Sequence, residues 1–394
     1  MNNKRMKSVI PILFLLSSLF AFQPANKSEL QAAVDLWVSD NATALSTYGE
    51  INSWDVSLIT DMSHLFKDKY TFNDDIGNWD VSNVTNMFYM FREARDFNQD
   101  LNNWDVSSVT NMQEMFKSAH DFNGNISDWD VSSVSTMRNI FWDAQSFNSD
   151  ISSWDVSNAV NLFGMFVNAP SFNQDISSWD VSSNTDFTQL FNGASSFDQD
   201  ISSWDVSNGT SMHFMFYGTP FNHDISSWDV SNVTGMAHMF QNSQFNQDIS
   251  SWDVSNVTNM RSMFHSCHNF NGDLSNWDVS SVTGMRDMFY DATSFNGDLS
   301  SWDVSNVTNM QSMFSYTTSF NGDLSTWDVS NVTNMQGMFR DASNFNQDLS
   351  TWNVSNVTNM NNIFNGENAL SDENKCAIHT SWSTNSTWPY DWSD

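Results

Sequence analysis

The chain has 394 residues, with 46 acidic against 14 basic side chains and a formal net charge of −32 at pH 7. Such a charge repels nucleic acid and anionic lipid head groups, which excludes both as partners. Strong acidity is typical of disordered chains, but 32 Phe, 18 Trp and 22 Met supply more apolar bulk than a disordered chain carries. We therefore expect a folded protein with its acidity on the outside.

The N-terminus has the pattern of an export signal. Three basic residues between positions 4 and 7 precede an apolar run over 9–22. This order predicts a signal peptide over 1–25, cleaved near Ala21 or Ala25. The run is too short for a lasting membrane span, so none is expected in the mature chain. The predicted location is extracellular, either secreted or at a cell surface.

Thirteen tandem units of 24 or 25 residues then fill about 51–369. Each unit reads Phe-Asn-x-Asp-[Ile/Leu]-Ser-x-Trp-Asp-Val-Ser-x-Val-Thr-x-Met-x-x-Met-Phe-x-x-Ala. The marker tryptophans are Trp54, Trp79, Trp104, Trp129, Trp154, Trp179, Trp204, Trp228, Trp252, Trp277, Trp302, Trp327 and Trp352. A fixed period of this kind indicates one quasi-linear array, although the length alone would suggest two or three globular domains.

Each unit predicts one short strand and one short helical segment. In Ser-x-Trp-Asp-Val, alternation places Trp and Val on one face and Asp on the other. The following Thr is a candidate N-cap, and two Met at i and i+3 with Phe at i+4 form the stripe of a short helix or 3₁₀ segment. Stacked units then predict an α/β solenoid, leucine-rich-repeat-like, with about 13 coils and a parallel sheet. Ala159, Asn184 and Gly209, where other units have Val or Ile, predict a looser middle.

Both ends of the array are expected to be capped, because terminal units would otherwise expose core. Residues 26–50 carry apolar residues at helical spacing and predict an N-terminal capping helix. Residues 370–394 lack the repeat, contain three tryptophans and predict a C-terminal cap. The predicted organisation is therefore signal peptide, capping helix, solenoid over 51–369 and C-terminal cap.

The unit resembles that of a known family. Trp-Asp-Val-Ser-Asn-Val-Thr-Asn-Met-x-x-Met-Phe, as at 252–264 and 302–314, looks like the repeat of the BspA-like surface proteins, which also occurs in mycoplasma lipoproteins as a domain of unknown function. The strand portion at 299–304 is similar to the LxxLxL of leucine-rich repeats. The resemblance implies an extracellular or cell-surface protein in which such arrays serve adhesion or recognition. It implies no catalytic residue.

The sequence offers no catalytic, cofactor-binding or metal-binding set. The serines have no Gly-x-Ser-x-Gly elbow, and the cluster His265-Ser-Cys267-His268 supplies three ligands where structural zinc takes four. The Met pair favours core over a soft metal site, because other units replace Met with Ile, Leu or Phe. Asn-Val-Thr recurs, but neighbouring glycans would lie about 4.8 Å apart, so a structural Asn is favoured over glycosylation. We therefore predict a protein that is not an enzyme.

One polar column faces outward and is the candidate binding face. Its members follow successive tryptophans and are called the Asp column: Asp80, Asp105, Asp130, Asp155, Asp180, Asp205, Asp229, Asp253, Asp278, Asp303 and Asp328. Like charges at this spacing destabilise one another, so hydrogen bonds from Ser, shifted protonation or bound cations should offset them. A second column, called the turn column, lies in the turn, where capping of the backbone is favoured over calcium ligation. Its members are Asp75, Asp100, Asp150, Asp175, Asp200, Asp224, Asp248, Asp273, Asp298, Asp323 and Asp348.

Two functions follow from this column. The first is an adhesion or recognition protein that binds an extracellular protein or glycan along the acidic sheet face. The alternative is a structural protein whose Asp column faces calcium, mineral or ice. No cofactor is required by either, and calcium belongs only to the alternative.

Overall fold

A computed structural model describes residues 21–366 and 368–392. Its helices are α1 (Lys27–Ser39), α2 (Asn41–Tyr48) and α3 (Asp372–Trp382), and a 3₁₀ turn covers Ile51–Ser53. Most of the predicted signal peptide lies outside the described residues. Among the helices of the described ranges, none is long and apolar enough to cross a membrane.

The two ends of the array are closed by aromatic contacts with the helices. Helix α1 is capped by Asn26, whose side chain accepts a hydrogen bond from the N–H of Glu29, and it buries Trp37 against Trp54 with ring centroids 5.8 Å apart. The predicted capping segment holds two helices because Asp40 ends α1 and caps α2. At the other end, Trp382 of α3 stacks on the last marker tryptophan at 6.0 Å.

The predicted α/β solenoid of strands and short helices is wrong. From 54 to 366 the described chain contains no helix and no named strand. Neighbouring repeats are joined by isolated parallel bridges, such as Asp61 with Asn86 and Asn86 with Asn111. The array is therefore a stack of turns, without the parallel sheet that the alternating pattern suggested.

The Met-x-x-Met-Phe segment shows how turns replace the predicted helix. The N–H of Leu65 donates to the carbonyl of Met62, and the N–H of Lys69 donates to Phe66, closing two turns whose third residue has positive φ. The alternate N–H groups, for example that of Met62, donate to the next repeat, here to Asn86. The backbone donors are thus shared between turns and neighbours, which leaves none for i to i−4 helical bonds.

The spacing of the repeats explains why a helix is excluded. Equivalent Phe rings, such as Phe91 and Phe116, stack at 5.4 Å, and equivalent Trp rings, such as Trp104 and Trp129, at 6.4 Å. Helices pack with axes about 8–10 Å apart, so a helix in every repeat would not fit this spacing. The Trp-Asp-Val stretch stays too short for a strand because hydrogen-bonded turns lie on both sides of it.

The core is made by the residues that the pattern placed inside. Every marker tryptophan is at most 4 % exposed, and the Met and Phe of the turn segment are buried. One unbroken Phe stack runs from Phe66 to Phe364, with centroids 5.1 to 5.9 Å apart. Each indole N–H also donates to the preceding repeat, as from Trp104 to the carbonyl of Ile76 at 3.1 Å. Stacking and these bonds fix the alignment of the repeats.

The middle of the array is irregular, but the irregularity is compensated. Phe187 stands where other repeats have Met, and a Cβ on Gly209 would lie 3.0 Å from its ring, so the glycine makes room for the larger side chain. Asn184 enters the backbone ladder, because its Oδ1 accepts the N–H of Leu162 at 3.1 Å. The bridges accordingly form two runs, one ending at Thr136 and one beginning at Asp186.

Candidate functional site

The Asp column is exposed, as predicted, and each carboxylate is held by its own repeat. Asp80 Oδ1 accepts the Ser82 hydroxyl at 2.6 Å and the Ser82 N–H at 3.1 Å. Bonds from the following Ser backbone recur down the column to Asp328, where the N–H of Ser330 donates at 3.0 Å. The carboxylate thus caps a local turn.

These hydrogen bonds offset the electrostatic repulsion expected between neighbouring carboxylates. The Ser207 hydroxyl and N–H hold the pKa of Asp205 below its usual value, and they outweigh the opposing effect of the charge on Asp229. Hydrogen bonds from Ser157 lower the pKa of Asp155 in the same way. Hydrogen bonds from serine therefore stabilise the charged form of Asp155 and Asp205. Its role as a binding face stays a prediction.

The other regular polar columns also bond backbone groups. In the turn column, Asp150 accepts the N–H of Ser152 at 2.9 Å. In the Phe-Asn turns, the side chain of one Asn accepts the N–H of the next, as from Asn98 to Asn73 at 2.9 Å. The Asn of Asn-Val-Thr donates its Nδ2 to a carbonyl of the preceding repeat, which engages the atom that a glycan would need. The two Asn columns therefore connect repeats, whereas Asp150 bonds within its own repeat.

The histidine and cysteine cluster is divided by the fold. Cys267 is buried, and burial raises the pKa of its thiol to about 12. His265 stacks on Tyr290 with centroids 4.5 Å apart, whereas His268 is paired with Asp291 at 3.0 Å. Within the described ranges, no group of three or more His, Cys, Asp or Glu residues is placed to hold a metal.

The side chains that differ from repeat to repeat gather on another surface, which we call the variable face. It is formed by the Met-x-x-Met-Phe turns and the residues after them. Its segments are 61–70, 86–95, 111–120, 136–145, 161–170, 186–195, 211–220, 235–244, 259–268, 284–293, 309–318, 334–343 and 359–366. It carries six of the seven arginines, five of the seven tyrosines and six of the eight histidines of the sequence. Sequence reasoning from the consensus missed this surface.

The backbone of the variable face is strained in every repeat. Each segment has two residues with positive φ, the second x of Met-x-x-Met and the second x after Phe. Of these 26 positions, 21 hold a residue other than glycine, and twelve of those are neither Asn nor Asp, including Tyr89, Glu114 and Phe214. Left-handed backbone costs a residue with a side chain about 1–2 kcal/mol. Local energetics would favour glycine at most of these positions.

Aromatic rings and cations cover one another on this face. Arg92 lies over the ring of Tyr89 at 4.6 Å, Lys117 over Trp142 at 4.6 Å, and Arg138 over Phe163 at 4.5 Å. The rings of Phe214 and His238 stack at 4.2 Å in the central repeats. Most of these side chains are half-buried against their neighbours. These contacts form separate aromatic and cationic patches, because the segments 186–195 and 359–366 carry no aromatic or cationic side chain apart from buried Phe.

The same face holds buried polar atoms that lack hydrogen bonds within the described chain. They are Arg92 Nε, Glu114 Oε2, Asn139 Oδ1 and Gln189 Oε1. Glu114 lies 3.3 Å from Arg92 and 3.5 Å from Lys117, so its carboxylate has ion-pair partners although Oε2 accepts no hydrogen bond of good geometry. A buried polar atom without a hydrogen bond costs about 1–3 kcal/mol. The variable face therefore combines buried polar atoms that lack hydrogen bonds with strained backbone.

The charge of the molecule is divided between its surfaces. The variable face has nine basic and nine acidic side chains and is formally neutral, whereas the whole chain carries −32. The excess negative charge thus lies elsewhere, mainly on the Asp and turn columns. A partner that binds the variable face therefore meets a formally neutral surface. Along the chain, the Asp column precedes the segments of this surface and the turn column follows them.

The family is shown by comparison with known proteins. The pattern of the family described as "Mycoplasma protein of unknown function, DUF285" matches residues 36–150, 123–222, 210–324 and 296–387. These matches span nearly the whole array, and the chain belongs to this family of repeat proteins. No curated protein matches the chain. The family carries no stated function, and the match supports a repeat family of this kind without singling out the BspA-like proteins.

Proposed function

We propose that the protein is a recognition protein without enzymatic activity, secreted or held at a cell surface, that binds an extracellular protein or glycan through the variable face. The resemblance to BspA-like proteins and the N-terminal export pattern support the location and the general role. We propose the variable face in place of the acidic sheet face that the sequence suggested. The described chain has no sheet, and the carboxylates of the Asp column accept hydrogen bonds from their own serines.

The observation that carries the proposal is the set of side chains at left-handed positions. Tyr89, Glu114, Phe214 and their equivalents occupy a conformation that would favour glycine, and this first left-handed position holds nine different residue types over the thirteen repeats. Strained residues and buried polar atoms without partners persist where they serve a function. Binding provides such a function, since it needs varied side chains at fixed positions.

The experiment uses substitutions that the fold already accepts in another repeat. A face variant combines Phe88→Gln, Tyr89→Ser and Trp142→Asn, the residues that Gln311, Ser312 and Asn192 supply at equivalent positions. A column variant combines Asp80→Asn, Asp105→Asn and Asp130→Asn, as at Asn353. Both variants and the parent chain are applied to arrays of purified extracellular proteins and defined glycans.

The proposal expects the parent and the column variant to bind the same ligand, and the face variant to lose at least about tenfold in affinity at an unchanged melting temperature. Equal binding by the face variant, loss only in the column variant, or no ligand on either array would contradict it. The cation-facing alternative has no observation in its favour, because serine already stabilises the carboxylates.

A further inference from the structure

The composition of the variable face points to a class of partner. Protein interfaces are enriched in Tyr, Trp, Phe and Arg at their centre, and Trp, Tyr and Arg carry most of the binding energy. The face concentrates these types, with Tyr89 and Arg92 in one repeat and Trp142 two repeats further along the array. The constant columns hold mainly Ser, Asp, Asn and Thr, and Ser and Asp are depleted at interfaces.

The order of side chains along the face points the same way. A regular polymer or a crystal repeats its chemistry and is matched by a surface that repeats, such as the Asp column. At the first left-handed position the face instead runs Tyr89, Glu114, Asn139, Gly164 and Gln189, with no period. An aperiodic row of this kind fits a ligand that is itself aperiodic.

We infer that the occupant of the variable face is a folded protein whose docking surface has an apolar centre and a basic rim. This inference rests on the proposed function and narrows it from protein or glycan to protein. The centre follows from the half-buried aromatic side chains Phe88, Tyr89, Trp142 and Phe163. The rim follows from charge, because the neutral face is flanked along the chain by the Asp column on one side and the turn column on the other.

The dimensions of the face agree with such a partner. Equivalent Phe rings of the stack lie 5.1 to 5.9 Å apart, so the twelve steps between thirteen repeats give a face roughly 65 Å long. A standard protein interface engages about 20–30 residues on each side. Two or three outward side chains per repeat reach this number over roughly ten repeats, so the face can accommodate a folded domain.

The test separates the centre of the interface from its rim by kinetics. Each ligand found on the arrays is immobilised, and association and dissociation rates are measured at low and high salt. The centre variant is Trp142→Asn, and the rim variant combines Asp105→Asn, Asp130→Asn and Asp155→Asn. Central contacts act mainly on dissociation, whereas rim charges act on association and on its salt dependence.

We expect a protein ligand, a dissociation rate at least about tenfold faster for the centre variant, and a slower, less salt-dependent association for the rim variant. A glycan ligand whose binding is lost in the face variant would overturn this inference and leave the proposed function standing. If the face variant binds the ligand as tightly as the parent chain, both this inference and the proposed function are wrong. A protein ligand whose association is faster for the rim variant would contradict the basic rim.

Discussion

The Asp column and the variable face belong to the same repeats but use their side chains differently. In the column, Asp80 and its equivalents accept hydrogen bonds from their own serines. On the variable face, side chains contact other side chains, as Arg92 contacts the ring of Tyr89. Four buried polar atoms of this face lack hydrogen bonds. The column is regular because it does the same structural task in every repeat. The face is irregular because the turn beneath it fixes only the backbone and the buried Met and Phe.

The largest effect is expected in the core, on which both the Asp column and the variable face depend. Phe191 is fully buried between Phe166 and Phe216 in the continuous stack, with centroids 5.7 and 5.9 Å away. Phe191→Ala should lower the free energy of unfolding by about 3–5 kcal/mol, through lost burial and an unfilled cavity. Urea unfolding followed by tryptophan fluorescence measures this. A loss below about 1 kcal/mol would show that the stack is not what holds the repeats.

The next effect concerns backbone strain at two neighbouring repeats. Ser312 and Gly337 occupy the same left-handed position, with φ of 53° and 61°. Ser312→Gly should stabilise the chain by up to about 1 kcal/mol, and Gly337→Ala should destabilise it by about 1–2 kcal/mol. Steric crowding is a small part of the second change, because the nearest atom to the added Cβ would be 3.6 Å away. Opposite signs in paired thermal unfolding experiments are expected, and equal signs would refute the strain.

A pH effect should distinguish the centre of the variable face from the Asp column. Burial lowers the pKa of His213, His238 and His265 below the ordinary histidine value of about 6.5. The unfolded chain therefore takes up these protons first, and stability should fall as the pH drops below about 6.5. Hydrogen bonds from Ser lower the pKa of Asp155, Asp205, Asp229, Asp278 and Asp328 in the Asp column, so the contribution of these carboxylates is lost only at still lower pH, as the pH falls through those lowered values.

The histidine contribution can be isolated with residues borrowed from other repeats. A variant with His213→Gln, His238→Ser and His265→Gln uses the types found at equivalent positions elsewhere on the face. Its melting temperature should fall less steeply than that of the parent through the first pH range, because the variant keeps only His64 among the histidines whose pKa burial lowers. Parallel melting curves for both proteins would refute the assignment.

The smallest effect is expected in the Asp column. Asp205→Asn keeps an acceptor oxygen for Ser207 and removes one charge close to Asp229. The two consequences oppose each other, so the free energy of unfolding should change by no more than about 0.5 kcal/mol. A loss above about 2 kcal/mol in urea unfolding would show that the carboxylate does more than cap a turn.

The sequence predicted the repeat, its period and the buried side chains, because Trp, Val, Met and Phe recur at fixed positions. It did not predict the backbone. Met62, Leu65 and Phe66 have the spacing of a helical stripe, and the same three residues are buried by two consecutive turns. The apolar pattern records which residues are inside, whereas the separation of the repeats decides whether a helix fits.

The variable face was missed by sequence reasoning for a related reason. A consensus keeps what the repeats share and discards what distinguishes them, so it drew attention to the Asp that recurs. The signal that could have found the variable face was present in the sequence as the difference between, for example, Phe88-Tyr89 and Gln336-Gly337. The positive φ values that make this difference informative emerge only from the structure.

Covalent footprinting of the free and the ligand-bound chain tests the central claim most directly. Radical oxidation reports on Tyr89, Trp142 and Tyr290 of the variable face, and carbodiimide labelling reports on the carboxylates of the Asp column. If the ligand binds the variable face, it should protect the aromatic side chains of the face strongly and the carboxylates of the Asp column weakly. Strong protection of the Asp column with unchanged oxidation of the face would contradict it.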